Sequence, residues 1–328
     1  MKKLIAGFPA QLIEALEIGA AANIRKSEKP IHKAYVAGMG GSGIGADFVA
    51  SFIRDESPIP YHTGKGYDIP AWVDENTLAI ASSYSGNTEE TLSAFQQFQE
   101  RGAKIVCLAS AGKLVESAKA NGLDYIQLPA GSPSPRACLG YSLVQQLWIL
   151  NKLGIIGSSL LDQIRGASDF LTKHQESIQE RAKQIAALIH DRVPIIYTLD
   201  RFEPVAVRMR QQFNENGKML CWHHVIPEMN HNELVGWREE DSRLAVLFLR
   251  SSLESHRNQT RTEITKEVVG NFAGSVLEIQ AKGDNLVEQS LYLVHLADWL
   301  SAYLADERGF DAIEIKVIDF LKESLARQ

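Results

Sequence analysis

Strand-like and helix-like stretches take turns along this chain, and that alternation is what most restricts its fold. Lys33–Ala37, Thr77–Ser82, Lys104–Leu108 and Asp124–Leu128 are short apolar runs with strand character. Helical patterning follows the first two, over Ile44–Ile53 and Glu89–Arg101. Alternation of this kind predicts a parallel sheet with helices on both faces. Phe8 to about Arg25 reads as an amphipathic helix, with Leu12, Ile13 and Leu16 at helical spacing. Leu139–Leu153 is an apolar helix that closes the first half. Ser158–His190 is one long or broken helical stretch, polar enough to bridge two domains. A second alternation follows in Val193–Thr198, Lys218–Trp222, Leu244–Leu249 and Ser275–Ile279. The chain is therefore expected to be α/β, with two domains at 1–153 and 154–328. Each is a parallel sheet flanked by helices in three αβα layers.

Two turns in the first half carry chemistry. Gly38-Met39-Gly40-Gly41-Ser42-Gly43 follows the first strand, and Ser82-Ser83-Tyr84-Ser85-Gly86-Asn87-Thr88 follows the next clear one. Both lead from a strand into a helix, where N–H groups and the helix dipole favour an anion. The first turn matches the G-x-G-x-x-G dinucleotide fingerprint literally. That reading requires an acidic residue at the tip of the next strand, and Pro60-Tyr61-His62-Thr63-Gly64 offers none. Ser42, between two glycines, is hard to explain as packing. In the second turn Asn87 and Glu90 have capping-box spacing, which predicts the helix start. Ser83, Ser85 and Thr88 exceed what one cap needs, and they point to phosphate.

The bulk properties exclude several classes. At 328 residues, 45% hydrophobic and 23% charged, the chain suits a globular enzyme and not a disordered one. Its formal charge of −6, with no long basic run, argues against wholesale nucleic-acid binding. The apolar N-terminal run stops at Pro9, with Glu14 and Glu17 beyond, so neither a signal peptide nor a membrane span is expected. Three scattered cysteines form no disulfide or zinc framework, and a cytoplasmic location is the expectation.

Both turns together resemble the sugar isomerase (SIS) domain. Three further segments narrow the likeness: Pro133-Ser134-Pro135-Arg136-Ala137, Asn214-Glu215-Asn216-Gly217-Lys218, and Pro227-Glu228-Met229-Asn230-His231-Asn232-Glu233. In this order they resemble the bifunctional phosphoglucose/phosphomannose isomerase family, which has two SIS domains, and the likeness spans nearly the whole chain. The resemblance implies interconversion of glucose 6-phosphate or mannose 6-phosphate with fructose 6-phosphate. It makes Glu215 the base, in a polar turn before the Lys218–Trp222 strand. It gives ring opening to His231, stabilisation of a cis-enediolate to Arg136, and a further site position to Lys322. Ser42, Ser83, Ser85 and Thr88 would hold the phosphate, with the backbone of Gly40 and Gly41 lining the pocket. No cofactor and no metal are implied. The partners are small sugar phosphates and a second subunit of a homodimer, which would deliver His231. The site is expected between the domains.

Other readings stay open on the residues alone. His223, His224, Glu228 and His231 lie close in sequence, but their spacing matches no standard zinc signature. A non-catalytic sugar-phosphate sensor or an amino-sugar phosphate isomerase would use the same turns. Gly309-Phe310-Asp311-Ala312-Ile313-Glu314-Ile315 stands where members of the resembled family usually show Asp-Pro followed by a small hydroxyl residue, which bears on the acceptance of mannose 6-phosphate.

Overall fold

The computed structural model describes residues 1–325 and 327. The chain forms two compact units. One comprises Ala6–Lys173 with Asn285–Glu288, and the other Met1–Ile5, His174–Asp284 and the chain from Gln289 onward.

Helices α1 (Lys2–Ala6) and α2 (Phe8–Ala21) precede β1 (Lys33–Ala37). Then come α3 (Gly40–Ile53), β2 (Tyr61–Gly64), β3 (Thr77–Ser82), α4 (Glu89–Glu100) and β4 (Lys104–Ala109). The first sheet ends with α5 (Gly112–Ala120) and β5 (Asp124–Gln127), followed by α6 (Leu139–Lys152). Its five strands run in the order β2-β1-β3-β4-β5, all parallel. β3 is buried along its whole length, which is why its run reads apolar without alternation. One face is covered by α4 and α5: Phe95, Phe98, Leu114 and Val115 pack with Tyr35, Ala79 and Cys107 of the strands. α2 presents Phe8, Leu12, Ala15 and Leu16 to the interior. It is joined to α6 by the Gln145 amide, which donates to the Ala15 carbonyl at 2.7 Å.

The stretch expected as one long or broken helix is a single unbroken helix, α7 (Ser159–Ile189). Its buried positions include Ile164, Leu171, Ile178 and Ile185, spaced by seven residues.

The second unit contains β6 (Val193–Leu199), α8 (Glu203–Glu215), β7 (Trp222–Ile226), β8 (Asp241–Arg250), α9 (His256–Gly270) and β9 (Ala273–Gln280). α10 (Leu286–Glu307) and α11 (Lys316–Leu325) complete the chain. The sheet order is β7-β6-β8-β9, again all parallel. Its core gathers Ile195, Tyr197, Ile226, Met229, Trp237, Val246 and Phe248.

Two expectations about this unit need correction. Lys218–Trp222 is not a strand; β7 starts at Trp222, and Leu220 stands 86% exposed in the preceding loop. Lys218 has a φ of 53°, a left-handed conformation that breaks extended backbone. Its ammonium also donates to the carbonyls of Glu215 and Glu314, closing the turn. Glu215 accordingly sits not in a free turn but as the last residue of α8.

Candidate active site

β1 and β3 are neighbours in parallel register, with Ala37 opposite Ala81, so the turns that follow them leave the sheet at the same end. They are also close in space. A Cβ on Gly38 would stand 2.9 Å from the Ser82 carbonyl oxygen, which explains why that position is glycine. The helix after the first turn begins at Gly40, four residues earlier than the sequence pattern indicates. Glycines are poor helix formers, so apolar periodicity alone places the start too late. Gly40 and Gly41 therefore form the first turn of α3, and Ser42 is buried there, its N–H donating to the Met39 carbonyl at 3.0 Å.

The second turn is a knot of hydroxyls. Ser83 Oγ and Thr88 Oγ1 are 2.8 Å apart, and Ser83 Oγ lies 3.5 Å from Ser85 Oγ. The Gly86 N–H donates to Ser83 Oγ at 3.1 Å, and the Asn87 N–H to Ser85 Oγ at 3.2 Å. The structure thus brings Ser83, Ser85 and Thr88 together at the N-terminus of α4. The capping box read from Asn87 and Glu90 does not form. Thr88 is the N-cap residue and makes no side-chain cap. Asn87 Oδ1 instead accepts from the Lys113 N–H at 3.0 Å, tying the turn to the start of α5. With no side-chain oxygen capping it, the first turn of α4 keeps its amides available for an anion.

Gly86 has a φ of 71°, and a Cβ there would overlap the Ala111 carbonyl oxygen. Gly86→Ala combines a left-handed penalty of roughly 1–2 kcal/mol with displacement of backbone. A thermal melt is expected to shift down, with a raised Michaelis constant for sugar phosphate in whatever protein remains folded.

Arg136 is buried in a short 3-10 turn, Pro135–Cys138. Two side chains hold this segment. Tyr84 Oη donates to the Pro129 carbonyl at 2.8 Å and accepts from the Ser132 N–H at 3.1 Å. Gln11 donates to the Ala137 carbonyl at 3.0 Å and accepts from the Gly140 N–H at 2.8 Å. A Cβ on Gly41 would lie 3.6 Å from the Pro135 carbonyl oxygen and 3.8 Å from Arg136 Cα, so the arginine segment adjoins the first glycine turn. The positioning role of Tyr84 was not read from the sequence. Its place between Ser83 and Ser85 was the only signal.

In the second unit Glu215 is fixed by its backbone neighbourhood. Asn214 Nδ2 donates to the Met219 carbonyl at 2.8 Å, and the fully buried Asn216 donates to Ser301 Oγ at 2.9 Å. Lower on α8, Arg208 and Gln212 both bond Asp298 of α10. His231 is exposed at the end of a 3-10 turn, Glu228–His231. Lys322 lies on α11, a helix with no buried residue and with Val317, Phe320 and Leu321 exposed.

His223 and His224 are half-buried. Burial, then the neighbouring Arg210, lowers the His223 pKa to about 4, so this imidazole is neutral at pH 7. Burial likewise pushes the Cys107 and Cys221 thiols up to about 12. Among the described residues, no group of three or more His, Cys, Asp or Glu side chains is arranged to hold a metal ion. No helix among them is long and apolar enough to cross a membrane.

Two all-parallel, helix-covered sheets, with a hydroxyl-lined turn at the strand ends of the first, define an SIS protein. The family model described as "SIS domain" matches residues 29–129, and "Bacterial phospho-glucose isomerase C-terminal SIS domain" matches 178–325. The bifunctional phosphoglucose/phosphomannose isomerase of Caldicellulosiruptor bescii is 35% identical over 336 residues, covering 99% of each chain. The Aquifex aeolicus protein of the same name is 36% identical, covering 93% of this chain and 94% of that one. Among solved structures, the C-terminal domain of glucosamine-fructose-6-phosphate aminotransferase from Francisella tularensis has the same fold. It superposes with a TM-score of 0.77 at 16% identity, covering 95% of this chain and 97% of that one. The chain belongs to the bifunctional phosphoglucose/phosphomannose isomerase family. It is an isomerase, with an aldose–ketose role.

Proposed function

We propose that this protein interconverts glucose 6-phosphate and mannose 6-phosphate with fructose 6-phosphate by proton transfer between C1 and C2. Glu215 takes the proton from one carbon and returns it to the other through a cis-enediolate. Arg136 offsets the charge that develops on the enediolate oxygens, where a positioned cation is most effective. His231 opens the ring, since an imidazole nitrogen can exchange a proton with the ring oxygen as a general acid or base. Lys322 joins this set by family likeness. The proton moves within one substrate, so no redox partner and no cofactor are needed. We place the protein in the cytoplasm as a homodimer, with His231 reaching the partner subunit's substrate.

The observation that carries this reading is the hydroxyl cluster of Ser83, Ser85 and Thr88 at the N-terminus of α4, with Ser42, Gly40 and Gly41 on the neighbouring turn. Together they offer hydroxyls and amides to a phosphate, and the phosphate then anchors the reacting carbons at the other end of the sugar. The test is turnover by purified protein. Fructose 6-phosphate should form from either aldose 6-phosphate, and folded protein that makes none from both would refute the reading. Thr88→Val removes one hydroxyl at nearly constant volume. It should raise the Michaelis constant about tenfold with a smaller effect on kcat, the loss expected for one hydrogen bond to a charged group. An unchanged constant would remove Thr88 from the phosphate site.

A further inference from the structure

On its C-terminal side, the segment that carries His231 is tied down by one carboxylate. Glu233 Oε1 accepts from Tyr197 Oη and, at 3.1 Å, from Trp222 Nε1. Tyr197 is fully buried on β6, its ring edge-on to Phe248 at 5.5 Å between centroids. Its hydroxyl also accepts from Trp237 Nε1 at 3.1 Å. Burial and the adjacent Glu233 carboxylate raise the Tyr197 pKa, so the phenol stays a donor. Trp222, the other donor, opens β7 at the far end of the loop that follows Glu215. Glu233 thus joins three pieces: a rigid core strand, the exit of the Glu215 loop, and the stretch just after His231. On the other side of His231, Met229 is fully buried in the core and Asn230 Nδ2 donates to Thr265 Oγ1 at 2.8 Å, while on this side the turn is held by a surface amide. Asn232 Oδ1 accepts from the Glu233 N–H at 2.6 Å, and Asn232 Nδ2 donates to Glu228 Oε1 at 2.9 Å.

We infer that Glu233 is a positioning residue for ring opening, which fixes His231 through its bonds to Tyr197 and Trp222. The inference rests on the assignment of ring opening to His231 made above. His231 itself is exposed, so the placement of its ring depends on how well its backbone is held. An error of about 1 Å in the placement of a reacting group can cost up to about a hundredfold in rate. Only acceptor lone pairs are asked of Glu233, so a glutamine, whose Oε1 accepts equally well, should replace it.

The test is a double-mutant cycle read on kcat for fructose 6-phosphate, with Michaelis constants measured alongside. Glu233→Ala is expected to lower kcat about 10- to 100-fold with little change in the Michaelis constant. Glu233→Gln should retain most of the activity. Amide exchange over residues 228–236 should speed up in the alanine variant and not in the glutamine variant. In a His231→Ala background, Glu233→Ala should cost almost nothing more, because the two residues act through one imidazole. If Glu233→Ala does not fold, Tyr197→Phe takes its place in the same cycle, since it removes the donor and leaves the ring. Full additivity of the two losses, or a glutamine variant as poor as alanine, overturns the positioning role while leaving His231 catalytic. Wild-type activity of His231→Ala overturns the ring-opening assignment and this inference with it.

Discussion

The Glu215→Gln substitution is expected to lower kcat for isomerisation about 10²- to 10⁴-fold, the range a positioned general base supplies. Binding should change little. The glutamine has the same size, and contacts of the backbone and of the neighbouring residues help to fix position 215. The Lys218 ammonium bonds the carbonyl of residue 215, Asn216 is anchored on Ser301, and Asn214 on the Met219 carbonyl. The measurement is single-turnover conversion of fructose 6-phosphate, together with exchange of solvent deuterium into C1 and C2. Both should fail together, because one carboxylate serves both carbons. A variant that retains exchange but loses net turnover would move the base to another residue and leave Glu215 a different task.

The second large effect is on stability. Asp298 accepts from Arg208 Nε at 3.2 Å and Arg208 Nη2 at 3.0 Å, and from Gln212 at 2.8 Å. The side chains of the ion pair are only 2% and 6% exposed. Asp298→Ala would take the carboxylate away from a buried guanidinium, which costs about 3–5 kcal/mol when one partner of such a pair is removed. Urea denaturation followed by amide exchange of β6 and β8 should show the loss. Replacing Arg208 and Asp298 together by methionine and leucine should recover most of it, since the pair itself contributes little beyond its own desolvation. A loss below about 1 kcal/mol for the single variant would mean that this ion pair does not hold α8 to α10. Because α8 ends in Glu215, partial unfolding here should lower activity before the sheet melts.

Much of the architecture was legible because its signals are local. Lys33–Ala37 and Thr77–Ser82 were read to the residue, since continuous apolar runs between polar boundaries leave little choice in a doubly covered sheet. What failed depended on contacts distant in sequence. Lys218–Trp222 has strand composition, yet the bond from Lys218 to the Glu314 carbonyl, almost a hundred residues away, holds the turn that excludes it from the sheet. Asn87 had the spacing of a cap, but Lys113 claims its oxygen. At the candidate site the hydroxyls of the second turn were found because they crowd within seven positions. Tyr84 and Glu233 were not, because their work is to hold a loop, and no residue type advertises that.

The absence, among the described residues, of any hairpin from either sheet sets the order of events by which this protein reaches its native state. Lys33 pairs with Thr77 in the first sheet and Val193 with Leu244 in the second, so no central pairing is available to a short nascent segment. Each pairing must close a loop that already contains a helix or a strand, and the entropy of closure comes before any return from pairing. Slow acquisition of structure follows, with strand edges waiting for partners in the meantime. Low temperature and slow synthesis should therefore favour recovery of active protein over aggregate, whatever the final stability of the folded chain.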